Sequence, residues 1–121
     1  MKALLPVTIV AVLCAGPALA ACLAPASNVV VPDGNSATRE QMVAAQRAVK
    51  TYDAEVKTYA ACLQGELDAE IARGGTTLTE ADRLALGKRY ASQQNAEVDK
   101  LQKVADRFNA ALKTFRAKNP G

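Results

Sequence analysis

The chain has 121 residues, half of them hydrophobic but only 4% aromatic, with a formal net charge of +3 and no histidine. That length excludes more than one domain of ordinary size. The near balance of charge argues against electrostatic capture of nucleic acid or another polyanion, and the missing imidazole removes Ser-His-Asp and Cys-His catalysis, His-containing zinc sites and haem ligation by His.

The first element in chain order is an export signal. Met1 and Lys2 form a positive start, Ala3 to Cys14 an uncharged apolar run, and Gly16-Pro17 precede Ala18-Leu19-Ala20, the order of parts in a secretory signal peptide. The run is shorter than the roughly 20 residues a membrane span needs. Cleavage after Ala20 makes residues 1–20 a removed signal and leaves fourteen basic against twelve acidic residues, a net charge of +2. The protein is therefore expected to be periplasmic or secreted.

A competing reading sits one residue away. Leu19-Ala20-Ala21-Cys22 also fits a bacterial lipobox, in which Cys22 would carry a lipid and the protein would be an outer-membrane lipoprotein; only then would it touch a membrane. Of three cysteines, Cys14 leaves with the signal, so Cys22 and Cys62 remain in an oxidising compartment, where an even pair closes a disulfide. Lipidation at Cys22 would strand Cys62 as a free thiol. The reach suffices: Thr38 to Cys62 is about 36 Å at helical rise, and the stretch from Cys22 to Thr38 can extend about 50 Å, provided it folds back along the helix.

Residues 21–37, rich in Pro, Ser, Asn and Val with Asp33-Gly34 near the end, read as an extended arm closing in a turn. Its apolar patch, Val29-Val30-Val31, is expected against the helices if the disulfide forms. Thr38 followed by Gln41 is a capping-box signature, so a first helix is predicted over about 38–73. Its seam is Met42, Ala45, Val49, Tyr52, Val56, Tyr59 and Leu63, alternating steps of three and four. Gly74 is expected at the left-handed cap, in a turn over 74–78. Thr79, with Glu80 and Asp82 behind it, starts a second helix over about 79–117. Its predicted seam is Leu84, Ala91, Val98, Leu101, Ala105, Phe108, Leu112 and Phe115, and Asn119-Pro120-Gly121 ends it.

Two long helices joined by about five residues run antiparallel. The expected fold class is all-α: a coiled-coil-like helical hairpin over 38–118, with an extended N-terminal arm pinned by a Cys22–Cys62 disulfide. In this register Gly87 falls opposite Leu67, which predicts close helix approach there. A lone hairpin leaves one side of each helix uncovered. The arm, or a second copy completing a four-helix bundle, could supply the cover, and Val104, Ala111, Ala44, Ala48 and Ala60 offer a second face.

Little else carries chemistry. Glu66, Asp68 and Glu70 form the densest acidic cluster, read as a solvated face, since hard cations require six or more oxygens and a shaped loop. Lys113, Arg116 and Lys118 suit the negative end of the second helix. No catalytic residue, metal site or cofactor is expected. The function class is a non-enzymatic interaction or structural protein with an unknown protein partner, itself included; the alternatives are a chaperone-like binder of unfolded envelope proteins and the lipoprotein.

At Pro32-Asp33-Gly34, Ala37-Thr38, Met42, Gln46, Val49-Lys50, Tyr52, Tyr59 and Cys62-Leu63 the chain resembles a group of small exported proteobacterial proteins of uncharacterised function, which share an early cysteine, a P-x-G turn and a helix with V-K-x-Y and Y-x-x-C-L. The resemblance covers residues 22–67 and implies a periplasmic location and a two-helix core. A lipobox is not a fixed feature of that group, which favours the disulfide. Leu78-Thr79-Glu80-Ala81-Asp82-Arg83 looks faintly like the L-T-x-x-Q motif of the Spy/CpxP periplasmic chaperones, with Asp82 where they have Gln.

Overall fold

The computed structural model describes residues 21–121; the expected signal segment, with Cys14, lies outside the described residues. Helix α1 spans Arg39–Gly74 and helix α2 spans Glu80–Lys118, joined by a single 3-10 turn, Gly75–Thr77. They pack along their lengths as an antiparallel hairpin.

Both helices begin at reciprocal capping boxes. The Gln41 N–H donates to the Thr38 hydroxyl at 3.2 Å and the Thr38 N–H to the Gln41 side chain at 2.8 Å. The Asp82 N–H donates to the Thr79 hydroxyl at 3.1 Å and the Thr79 N–H to the Asp82 carboxylate at 2.9 Å. Each box satisfies backbone donors that the first turn leaves orphaned. At the far end of α2, the Asn119 amide donates to the Phe115 carbonyl at 2.9 Å, and Arg116 and Lys118 occupy the last turn.

The cap between the helices falls one residue later than expected. Gly74 is helical, and Gly75 takes the positive φ of 49°. The helix runs one residue further because the Gly75 N–H still reaches the Ile71 carbonyl; Gly74 is needed for another reason, since a Cβ there would collide with the Leu78 side chain.

The core is two clusters in series. Near the open end of the hairpin, Met42, Ala45 and Phe108 are buried, with Val31, Ala37, Leu112 and Phe115 against them. One step further in, Tyr52, Val56 and Val104 are buried, covered by Val29, Val49 and Leu101. The arm therefore runs back along the hairpin and roofs both clusters with alternate valines, while Val30 between them stays 80% exposed. Its far end is fixed by the Cys22–Cys62 disulfide, Cα–Cα 5.8 Å, and by the Cys22 N–H donating to Glu66 at 2.8 Å.

At its near end the arm turns over Asp33, whose carbonyl accepts from Ser36 and Ala37 at 3.1 and 2.8 Å. Here Gly34 is buried against α2, and a Cβ would run into the carbonyl of Ala111. Close approach thus occurs at Gly34 and not at Gly87, where a Cβ would meet nothing within 4 Å.

Candidate functional site: the open face of the hairpin

The acidic cluster that the sequence singled out is used internally. Glu66 accepts from the Cys22 backbone and Asp68 from Gln64. Glu70 takes a two-pronged contact from Arg89 at 2.8 and 2.9 Å and the Tyr90 hydroxyl at 3.1 Å. These bonds tie each carboxylate to a different partner, and the three do not converge on one point. Cys22, Cys62 and Glu66 lie close enough to share an ion, but both sulfurs are spent in the disulfide, and thiolate is the form that binds metal.

Among the described residues one charged group is buried. Glu97 on α2 is 4% exposed; one oxygen accepts from Lys100 at 2.6 Å and the other has no partner, as is also true of the Tyr52 hydroxyl. Burial, then the Glu97 charge, raises the Tyr52 phenol above its ordinary pKa, and the hydrogen bond to Glu97 raises Lys100. The Glu97–Lys100 bond lies within α2, and the Tyr52 hydroxyl faces Glu97 from α1 with no hydrogen bond between them.

The burial pattern of α2 corrects the predicted seam. Tyr90, Glu97, Val104 and Phe108 are its buried residues, whereas Leu84 is 58% and Val98 44% exposed, and Ala91 is exposed too. In its N-terminal half the helix is turned by one residue, about 100°, from the expected orientation. Val104, which the sequence suggested for a second face, is instead 2% exposed in the core. Tyr90 and Glu97 were missed because long polar residues read as surface; their i,i+7 spacing with Val104 was the available signal.

The rotation gives the hairpin two unlike sides. One carries the arm, with a groove of about 570 Å³ between Val29, Pro32, Ala44, Ala48 and Tyr52. The other carries no covering chain segment among the described residues. It shows a groove of about 630 Å³ lined by Met42, Val43, Phe108, Leu112 and Phe115, and another of about 360 Å³ lined by Val49, Val98, Leu101 and Ala105. No described helix is long and apolar enough to cross a membrane.

The chain matches no protein-family model, no curated protein and no solved structure.

Proposed function

We propose that this is an exported, non-enzymatic interaction protein that works through the open face of its helical hairpin. The observation that carries the reading is the exposure of Leu84, Val98 and Val43, at 58, 44 and 39%, beside grooves whose apolar floors are edged by Arg39, Arg116, Lys50 and Asp53. Large apolar side chains gathered on one face mark contact surfaces; Leu23 and Val30, 86 and 80% exposed, stand apart from that face on the arm. The disulfide supports export, since such bonds persist in oxidising compartments. It also favours an unlipidated Cys22, because the sulfur joined to Cys62 is the one a lipid thioether would use.

The test is a photo-reactive amino acid at Leu84, with Lys103 on the arm side as control, in cells exporting the protein. A discrete protein adduct from position 84 and none from position 103 is the expected result. The absence of any adduct at 84 would overturn the reading. Intact mass of the exported protein, two hydrogens below the reduced chain and without acyl groups, tests the state of Cys22.

A further inference from the structure

We infer that the open stripe of α2 is the interface of an antiparallel, two-fold symmetric homodimer centred on Val98. This rests on the open face being an interaction surface, and it names the partner as a second copy of the chain.

The stripe is apolar at every seventh position: Leu84, Ala91, Val98, Ala105, Leu112. It follows the buried positions Tyr90, Glu97 and Val104 by one residue, so it lies about 100° around α2 from the α1 contact. That is close to the angle between two neighbours of one helix in a four-helix bundle. A second hairpin can dock on the exposed Leu84, Ala91 and Val98 without displacing α1 or the arm. Ala105 and Leu112 present to it the part of their surface left open, Leu112 also packing against the Met42 and Phe108 cluster. The seven-residue period requires a left-handed crossing, the geometry of such bundles.

The order of side chains along the stripe identifies the partner. Read outward from Val98, the two directions are the same: alanine at seven residues, leucine at fourteen. A glutamine stands four residues away on either side, Gln94 and Gln102. An isologous contact places one patch against itself. With the axis at Val98, Ala91 comes level with Ala105 of the other copy, Leu84 with Leu112, and the small pair on each side lets the helices approach closely. A foreign partner imposes no such palindrome.

Charge sets the direction. Glu80 and Arg116 lie eighteen residues either side of Val98, about five whole turns, and neither is in an ion pair within the described residues. Antiparallel pairing brings Glu80 of each copy level with Arg116 of the other. Parallel pairing would align Glu80 with Glu80 and Arg116 with Arg116, an arrangement of like charges that selects against it. Along the flank away from α1 the residues are Asn95, Gln102 and Asn109, uncharged amides that can donate and accept across the seam.

The experiment is sedimentation equilibrium of the exported, disulfide-intact protein, with cross-linking to read the register. The expected result is a reversible dimer. Val98→Lys, at a position already half exposed, should weaken it by at least about 100-fold by burying two facing ammonium groups while leaving the helical circular dichroism unchanged. Glu80→Arg should weaken it and Glu80→Arg/Arg116→Glu restore it. Ala91→Cys mixed with Ala105→Cys should form an intermolecular disulfide that neither forms alone, with Cys22–Cys62 still intact by peptide mass. A monomer at every loading concentration, or self-linking of Ala91→Cys alone, would overturn the inference. A monomer in solution together with a Leu84 photo-adduct to a different protein would sink the homodimer and leave the interaction reading standing; no adduct and no dimer would sink both.

Discussion

The Tyr52 hydroxyl on α1 and the Glu97 carboxylate on α2 are neighbours in the interior of the hairpin, and each leaves an oxygen without a hydrogen-bond partner. An unsatisfied buried polar group costs about 1 to 3 kcal/mol. Removing it without opening a cavity should therefore not harm the fold. Tyr52→Phe is expected to be neutral or stabilising by up to about 1 kcal/mol in urea denaturation; a loss larger than that would show that the hydroxyl has a partner in solution.

The same pair gives stability a pH dependence. Tyr52 is raised from its usual 10.0, first by burial and then by the Glu97 charge, and Lys100 from its usual 10.5, first by the hydrogen bond to Glu97. A raised pKa means the native state holds the proton more tightly than the unfolded chain. The contribution is complete below about pH 10 and falls as pH rises beyond it. At the acid end the sign reverses: the Thr79 hydroxyl holds Asp82, and the Asn35 N–H holds Asp33, below the ordinary 3.8, so stability is lost as pH falls past that value. Melting temperature should fall on the acid and on the alkaline side of these limits, and Tyr52→Phe should reduce the alkaline fall.

Reduction of the disulfide should be the largest single loss. The bond closes a loop of 40 residues, worth on the order of 3 to 4 kcal/mol in the chain-entropy model, and it anchors the segment whose Val29 and Val31 roof the core. Cys22→Ser/Cys62→Ser is expected to lower the urea midpoint accordingly and to speed amide hydrogen exchange in 21–37 before it affects α2. Uniform change along the chain would contradict this account.

Two glycines should respond in opposite directions. Gly34→Ala drives a Cβ into the Ala111 carbonyl, a backbone obstacle that forces the turn off α2 at a cost of about 1 to 3 kcal/mol. Gly65→Ala meets nothing within 4 Å on an exposed helix surface and should stabilise by up to about 1 kcal/mol. Thermal melts of the two variants check both signs.

The starts of both helices, the antiparallel hairpin and the cysteine pairing were legible in the residues. Caps are local: Thr38 with Gln41, and Thr79 with Asp82, satisfy backbone groups three residues away and need no tertiary partner. Pairing the two cysteines that remain outside the expected signal requires no coordinates either. Reach showed only that the arm could fold back to Cys62; its path over the core, and which valine faces outward, came from the structure.

Tertiary structure decided which side of α2 turns inward. Leu101, Phe108 and Phe115 belong equally to two adjacent stripes, one continuing through Leu84, Ala91 and Val98, the other through Tyr90, Glu97 and Val104. Hydrophobicity favours the first, and the hairpin buries the second. Tyr90 and Glu97 are retained inside because Glu70 and Lys100 meet their polar atoms, and because the arm, pinned far away in sequence, covers Val104 from the other side. The Glu70–Tyr90 bond and the cover from the arm are long-range contacts that no local window contains. Their consequence is the apolar stripe left facing water, on which the proposed function of this protein rests.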